Sequence, residues 1–187
     1  MWVKICGITR YEDALAACDS GADAVGIVLT RSRRKADPRL VEAWIHDIRG
    51  VEKVGVFMGE EPEYIRKVAA RLGLDTIQLH TPLVPAHRAL LQGFRIIVAI
   101  KDPDPARIPE NFPCRVLLDP SMGTGAAGSW QRLDIPFILA GGLTPENVGD
   151  AVIRARPMGV DVSSGVETAP GVKDTEKMRR FIQEAKK

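Results

Sequence analysis

The sequence predicts a closed barrel of eight parallel strands. Short runs rich in β-branched residues recur eight times along the 187-residue chain, and most of the gaps between them carry an amphipathic helical pattern. Strands that alternate with helices form parallel sheets, and closure into a (βα)8 barrel uses all eight strands without leaving an edge. Because this fold usually takes about 200 residues or more, we expect a compact TIM barrel.

The predicted elements follow from periodicity and from helix-breaking residues. Helices are predicted over residues 11–20, 39–49, 63–72, 85–91, 145–155 and 175–185. Thr9, three residues before Glu12, and Thr144, directly before Pro145, are expected to cap two of them. Prolines within 102–112 and glycines within 120–134 predict a short or missing fifth and sixth helix. The strands are centred near Val3, Val25, Val54, Ile77, Ile97, Val116, Ile138 and Val160.

Composition narrows the class of protein. Apolar residues make up 45% of the chain and charged residues 27%, and the length fits one domain over residues 1–187. The formal net charge of +2 is too small to indicate a nucleic-acid partner. Three cysteines without paired or metal-ligand spacing favour a reducing, cytoplasmic compartment. No apolar run approaches the roughly 18 residues of a membrane helix.

Strand parity predicts which side chains face the barrel interior. Side chains alternate along a strand, so the apolar positions of the first strand face the helices and turn Lys4 and Cys6 inward. The same alternation on the eighth strand turns Asp161 and Ser163 inward. These two strands are neighbours in a closed barrel, and an unpaired buried ammonium is unfavourable. We therefore predict a contact between Lys4 and Asp161.

Polar side chains converge at one end of the predicted barrel. Gln78 and His80 on the fourth strand and Asp119 after the sixth also face inward. Each residue alone has an ordinary explanation, since cysteine is common in cores, a single histidine is usually held by hydrogen bonds, and aspartate often caps a turn. Their joint position at strand carboxyl ends, where α/β proteins bind ligands, favours an active site. The thiol of Cys6 and the carboxyl of Asp119 suggest proton transfer.

Four loops at this end carry further signals. Residues 140–145 (AGGLTP) and 162–166 (VSSGV) follow strands seven and eight, where this fold commonly binds phosphate on backbone amides; a tight turn alone is the alternative for an isolated Gly-Gly pair. The basic residues 31–35 offer an arginine for a substrate carboxylate. Residues 123–128 are glycine-rich but lack the lysine of a P-loop, and we expect a mobile loop over the site.

These motifs together resemble one enzyme family. The chain is similar over nearly its whole length to phosphoribosylanthranilate isomerases of tryptophan biosynthesis. The motifs that carry the resemblance are residues 3–9 (VKICGIT), 78–80 (QLH), 117–119 (LLD), 123–125 (GTG), 140–143 (AGGL), 159–167 (GVDVSSGVE) and 170–174 (PGVKD).

The resemblance implies an isomerase that converts N-(5-phosphoribosyl)anthranilate to 1-(2-carboxyphenylamino)-1-deoxyribulose 5-phosphate by an Amadori rearrangement, without cofactor or metal. It implies that Cys6 is the general base and Asp119 the general acid, with Arg34 on the anthranilate carboxylate. The expected partner is a small phosphosugar, with no nucleic acid or membrane, for a monomer or homodimer. The substrate-binding residues it implies are Arg34, His80, Gly141, Gly142, Ser163, Ser164 and Gly165.

The implied reaction places demands on the thiol. Cys6 would remove a proton from C2 of the imine formed when Asp119 protonates the ring oxygen. A thiolate is the active form, and a free thiol has a pKa of about 8.5. We expect positive charge from Lys4 or from the transient iminium to lower it.

The sequence departs from the family pattern in two loops. Arg33 and Arg34 stand where a Ser-Pro-Arg-aromatic run is usual, so Arg33 is an alternative carboxylate ligand. Residues 126–129 replace the lysine, phenylalanine and aspartate that often precede the tryptophan, which changes the expected closure of the sixth loop.

Two other functions fit part of the pattern. One is an isomerase of the related aminoimidazole ribotide of histidine synthesis, or an enzyme with both specificities, but that chemistry usually employs two aspartates and here Cys6 takes the first position. The other is a barrel that only binds a phosphorylated ligand or partner protein. Such a module has no need of Cys6 and Asp119 together.

Overall fold

Eight parallel strands close into a barrel in the computed structural model, which describes residues 1–82, 84–102, 113–120 and 130–187. Neighbouring strands pair in chain order, and the first strand pairs with the eighth. All eight predicted strand centres lie within observed strands, so the predicted (βα)8 barrel is confirmed. The strands are β1 (Trp2–Cys6), β2 (Ala24–Val28), β3 (Glu52–Phe57), β4 (Thr76–Leu79), β5 (Arg95–Ile100), β6 (Arg115–Leu118), β7 (Phe137–Leu139) and β8 (Gly159–Val162).

The helices of the described residues cover the strands in the predicted places. They are α1 (Tyr11–Asp19), α2 (Pro38–Ile45), α3 (Pro62–Arg71), α4 (Pro85–Leu90), α5 (Val148–Ala155) and α6 (Thr175–Ala185). None of them is long and apolar enough to cross a membrane. The predictions for the fifth and sixth helices fall largely on residues 103–112 and 121–129, which lie outside the described residues. The described residues of those two gaps are not helical.

A short antiparallel hairpin follows the last barrel strand. Residues Ser164–Val166 form one 3-10 turn after β8, and β9 (Glu167–Ala169) then pairs with β10 (Val172–Lys173). This hairpin leads directly into α6. It therefore lies beside the loop that the sequence predicts to bind phosphate.

One of the two predicted helix caps differs in the structure. Arg10 is the N-cap of α1, and the Thr9 hydroxyl donates instead to the carbonyl oxygen of Gly171 at 2.6 Å. The regular part of α5 begins after Asn147, but the Thr144 hydroxyl accepts from the backbone N–H of Glu146 at 3.2 Å and caps the turn that leads into the helix, as expected. The Thr9 hydroxyl binds Gly171 because a hydroxyl group bonds whichever backbone group the fold presents nearby.

The barrel has an outer and an inner apolar layer. Residues that alternate along a strand belong to different layers, as the strand pleat requires. The outer layer packs the strands against the helices and includes Val3, Ile5, Val116, Val160 and Phe181. The inner layer fills the lower part of the barrel with Ala24, Val54, Ile97, Ala99, Leu117, Ile138 and Ala140. This division confirms the predicted strand parity.

A polar cluster closes the amino-terminal end of the barrel. The Arg115 guanidinium donates to Glu52 at 3.1 Å and lies 4.8 Å above the ring of Trp2. The Thr76 hydroxyl also donates to the Glu52 carboxylate. Sequence reasoning did not find this cluster, because its members come from four different strands. Its position leaves the carboxyl end as the open end of the barrel.

The Lys4–Asp161 contact joins β1 and β8, the two strands that close the barrel. The two residues are register partners, and the Lys4 ammonium donates to Asp161 Oδ1 at 2.7 Å, as predicted. Lys4 is fully buried. Burial alone lowers the pKa of Lys4, but the interactions with the Asp161 carboxylate and, to a smaller extent, with Cys6 outweigh it and hold this pKa above its usual value. The ammonium is therefore charged at neutral pH.

Removal of the Lys4 ammonium should destabilise the barrel strongly. Lys4→Met leaves the Asp161 carboxylate without its buried partner, and we expect a loss of about 3–5 kcal/mol in the free energy of unfolding. Urea denaturation measures this loss. The matched control is Lys187→Met, which removes an exposed ion pair with Glu184 and should leave the unfolding midpoint unchanged. Equal midpoints for both variants would contradict the role given to the buried pair.

Candidate active site

A cavity of about 260 Å³ opens at the carboxyl ends of the barrel strands. All predicted site residues except Gly165 line it. Its wall includes Cys6, Arg34, His80, Asp119, Gly141, Gly142, Ser163 and Ser164. The fold thus brings together residues that are far apart in the chain.

Cys6 ends β1 inside the barrel, above the Lys4–Asp161 pair. Its side chain is almost fully buried, and the positive charge of the nearby Lys4 ammonium acts on the thiol. Gly26 on β2 makes room for both groups, because a Cβ there would lie 2.8 Å from Cys6 Sγ and 3.0 Å from Lys4 Cε. Cys6 is therefore held against a cation on one side and the cavity on the other.

Burial raises the pKa of the Cys6 thiol, and this corrects the sequence-based expectation. The positive charges of Lys4 and Lys173 act in the opposite direction, but they offset only part of the desolvation, and the charge of Asp161 adds to the rise. Of the two sources of positive charge expected from the sequence, Lys4 is therefore in place but does not outweigh desolvation.

Asp119 lies at the end of β6, directly below the rim of the cavity. Its backbone N–H donates to the carbonyl of Ile100 at 2.9 Å, which continues the β5–β6 pairing by one residue. The side chain is almost fully buried. Two strands, β7 and β8, separate β6 from β1. The Asp119 carboxyl and the Cys6 thiol therefore line the same cavity from strands that are not neighbours.

His80 is a neutral ring with one unused nitrogen. The amide Nε2 of Gln78 donates to His80 Nε2 at 2.8 Å, so the ring proton lies on Nδ1. Burial lowers the pKa of His80, and the charge of Asp119 opposes this only in part. Within the described residues, His80 Nδ1, Gln78 Oε1 and Ser163 Oγ are buried without a hydrogen-bond partner. Buried polar atoms usually have partners, so these three atoms mark where a polar ligand would bind.

The basic loop after β2 brings one arginine to the cavity. Arg34 is half-buried and lines the cavity, whereas Arg33 is exposed and does not. Arg34 donates through Nε and Nη2 to the carboxylate of Glu167 at 2.8 Å each. Of the two sequence-based alternatives, the geometry favours Arg34.

The loops after β7 and β8 lie against each other and form a backbone cradle. Gly141 and Gly142 have φ values of 87° and 67°, which only glycine adopts readily. A Cβ on Gly165 would lie 1.9 Å from the carbonyl oxygen of Leu143, so only glycine permits this contact between the loops. Asn147 fixes the first loop by donating from Nδ2 to the carbonyl of Gly142 at 3.0 Å. The cradle and the start of α5 suit an anionic group.

Two charged residues near the cavity, Glu167 and Lys173, lie in motifs that carry the family resemblance, but the sequence predicts no role for either of them. Glu167 accepts hydrogen bonds from Arg34 and from Lys173, the latter at 2.8 Å. Arg34 and Glu167 are 133 positions apart. No local signal in the sequence pairs them, although both lie in segments that resemble the family.

Some expectations fall outside what the structure describes. The predicted mobile loop at 123–128 belongs to residues 121–129, which lie outside the described residues. The same holds for the sequence departure at 126–129. Within the described ranges, no group of three or more His, Cys, Asp or Glu side chains is arranged to hold a metal ion.

Comparison with known proteins decides the family. The model of the N-(5′-phosphoribosyl)anthranilate isomerase family matches residues 3–184 of the chain. The chain belongs to this family. An N-(5′-phosphoribosyl)anthranilate isomerase of Geobacter sp. strain M21 is 40% identical over 200 residues, which cover 99% of this chain and 98% of the relative.

Solved structures of the family have the same fold. One is a phosphoribosyl anthranilate isomerase in complex with reduced 1-(o-carboxyphenylamino)-1-deoxyribulose 5-phosphate, with 37% identity and a TM-score of 0.86. Another shows monomers generated from the dimeric enzyme of Thermotoga maritima, with 38% identity and a TM-score of 0.87. Each comparison covers 100% of this chain and 98% of the other. The family thus includes a phosphosugar complex and both monomeric and dimeric forms.

The raised pKa of Cys6 predicts slow alkylation at neutral pH. Iodoacetamide reacts with the thiolate, so the rate at Cys6 should rise with pH and reach half of its maximum above the ordinary thiol value of about 8.5. Peptide mapping by mass spectrometry separates Cys6 from Cys18 and Cys114. In Lys4→Met the midpoint should move higher still, because one opposing cation is lost. A Cys6 midpoint below about pH 8 would show that the neighbouring cations outweigh desolvation at this thiol.

Proposed function

We propose that this chain is an N-(5-phosphoribosyl)anthranilate isomerase, which forms 1-(2-carboxyphenylamino)-1-deoxyribulose 5-phosphate by an Amadori rearrangement in tryptophan biosynthesis. Family membership over residues 3–184 supports the reaction. The observation that carries the proposal for this chain is that Cys6 and Asp119 line one cavity at the open end of the barrel.

Asp119 is proposed as the general acid. It would donate a proton to the furanose ring oxygen, so that the C1–O bond breaks and the nitrogen lone pair forms an imine at C1. What supports this role is the buried position of Asp119 at the end of β6, in the wall of the cavity that Cys6 also lines. His80, with its ring proton on the unpartnered Nδ1, is proposed to donate a hydrogen bond to the substrate.

Cys6 is proposed as the general base. It would take the proton from C2 of the iminium, and the electron pair of the C–H bond would give the enolamine that tautomerises to the ketone. Cys6 would act in its thiolate form, and the iminium adjacent to the acidified C–H bond would favour that form against the desolvation that raises the pKa of the thiol. Lys4 then stabilises the thiolate from the opposite side.

Two anchors are proposed to hold the substrate between these groups. The phosphate would bind the backbone amides of the Gly141–Gly142 and Ser163–Gly165 loops, and the unpartnered Ser163 Oγ supports this position. The anthranilate carboxylate would bind the Arg34 guanidinium. Anchors at both ends of the substrate hold its reacting atoms near acid and base, which accelerates the reaction.

We propose that residues 1–187 form one catalytic domain and that the protein acts in the cytoplasm. The last helix, α6, packs against α1 and α5, which ties both ends of the chain to one barrel. We propose a monomer or homodimer that acts on a small phosphosugar without a nucleic-acid or membrane partner. The small net charge supports the exclusion of nucleic acid.

A direct assay tests the proposal against a barrel that only binds ligands. The purified protein is mixed with freshly prepared phosphoribosylanthranilate, and loss of the substrate fluorescence is followed. We expect decay that scales with protein concentration. Binding without decay would favour the binding module. Turnover of the aminoimidazole ribotide in a parallel assay would favour an isomerase with both specificities.

The proposed acid and base predict large losses of turnover without loss of fold. Cys6→Ser and Asp119→Asn should each lower kcat by about 10²–10⁴-fold, because each variant removes one proton-transfer group. The measurement is steady-state fluorescence decay together with circular dichroism. Cys18→Ser, at a half-buried thiol on α1, and Asp47→Asn, at an exposed carboxylate after α2, are the matched controls and should retain full activity. Near-full activity in either site variant would remove the role assigned to it.

The contact between the phosphate loops predicts a selective effect of one methyl group. Gly165→Ala pushes the β8 loop away from Leu143, so KM for phosphoribosylanthranilate should rise about tenfold or more. Gly149→Ala adds the same methyl group where no atom lies within 4 Å and should leave KM unchanged. Initial-rate kinetics measure both values. Equal KM values for the two variants would show that the loops do not need this contact.

A further inference from the structure

A buried carboxylate beside the cavity is shared by two cations. The Glu167 oxygens accept from Arg34 Nε at 2.8 and 3.1 Å and from Arg34 Nη2 at 2.8 Å, and Lys173 Nζ donates to Oε1 at 2.8 Å. The side chain of Glu167 is 6% exposed and that of Lys173 is fully buried. A pair with such low exposure fixes geometry far better than a surface ion pair.

The aliphatic part of the Arg34 side chain is also closely packed. A Cβ on Gly7 would lie 2.7 Å from Arg34 Cδ and 3.0 Å from Ser163 Oγ, so the arginine stem passes directly over the loop that follows Cys6. Gly7 has a φ of 77°, which other residues rarely adopt. Because Gly7 has no side chain, the Arg34 side chain can pass this point and reach the cavity.

The way in which Glu167 binds Arg34 leaves a defined part of the guanidinium for a ligand. A guanidinium has five N–H donors in a rigid plane. Glu167 occupies the edge formed by Nε and Nη2. The Nη1 end, with the second Nη2 proton, is the edge that remains for a planar carboxylate in fork geometry.

Lys173 determines the net charge of the cluster formed by Arg34, Glu167 and Lys173. Without Lys173, the Glu167 carboxylate would neutralise Arg34. Two cations around one carboxylate leave a net positive charge for an anionic ligand. Lys173 is also held by hydrogen bonds to α1 and to the loop after β8. Its backbone N–H donates to Asp13 at 3.0 Å, and its ammonium donates to the Ser163 carbonyl at 3.2 Å.

We propose that Glu167, with Lys173 as its counter-cation, is a positioning residue that fixes the Arg34 guanidinium for the substrate carboxylate and so sets the preference for an anthranilate over an uncharged aniline. This inference rests on the proposed function. Glu167 acts through Arg34, so its loss affects recognition of the carboxylate and leaves the proton transfers at Cys6 and Asp119 intact.

The test compares two substrates that differ only in that carboxylate. Initial rates are measured with N-(5-phosphoribosyl)anthranilate and with N-(5-phosphoribosyl)aniline for the wild type and for Glu167→Gln, which keeps the shape and removes the charge. We expect the ratio of the two kcat/KM values to fall about tenfold or more, through KM of the anthranilate substrate. The values for the aniline substrate should stay within about threefold of wild type.

Two further variants separate positioning from general destabilisation. In an Arg34→Met background, Glu167→Gln should cause no additional loss with the anthranilate substrate, because residues that act together are not additive. Glu176→Gln, at an exposed carboxylate that pairs with Arg179 on α6, is the matched control and should keep the wild-type ratio. If Glu167→Gln does not fold, the same ratio of kcat/KM values is measured for Glu167→Asp. We expect this ratio to fall in Glu167→Asp as well, but by less.

The outcomes distinguish this inference from the proposed function. Equal losses for both substrates, or an unchanged ratio, would overturn the role of Glu167 while wild-type turnover of the anthranilate substrate leaves the proposed function standing. A wild type that turns over neither substrate would overturn the proposed function and this inference with it. A ratio that falls in Glu167→Gln alone supports both.

Discussion

The buried pair of Lys4 and Asp161 is the constraint on which the rest of the structure depends. It joins β1 to β8 through two residues that are 157 positions apart in the chain, inside a barrel whose lower part is filled by apolar side chains. A buried ion pair contributes little net stability, but loss of either partner leaves an uncompensated charge. The barrel therefore closes in one register. That register also places Cys6 directly above a cation and beside the cavity.

The same electrostatic arrangement explains how a buried thiol suits the proposed reaction. Desolvation raises the pKa of Cys6, and nearby cations offset only part of the effect. A raised pKa disfavours the thiolate, which is the form that is oxidised and alkylated. In the proposed reaction, the cation generated on the substrate supplies the charge that favours ionisation of Cys6.

The sequence predicted the features that follow from strand parity. Apart from the Lys4–Asp161 pair, it did not predict side-chain contacts between residues that are distant in the chain. A period of two turned Lys4 and Cys6 inward, and parallel strands brought Asp119 to the same end of the barrel. The hydroxyl of Thr9 binds Gly171, far along the chain, so its local capping signal was misleading. The fork between Arg34 and Glu167 has no sequence signature, because neither the loop nor the hairpin has a periodic pattern. Desolvation of Cys6 depends on packing, which residue types alone do not give.

The closure of β1 on β8 also has a consequence for synthesis of the chain on the ribosome. Lys4 leaves the ribosome before Asp161, which follows 157 positions later in the chain. Until Asp161 and β8 have been synthesised, the Lys4 ammonium lacks its carboxylate partner and β1 lacks one of its two neighbouring strands. Contacts of such long sequence separation form late because ordering the intervening chain is entropically unfavourable. The cavity at the carboxyl ends of the strands is thus completed only when β1 and β8 pair.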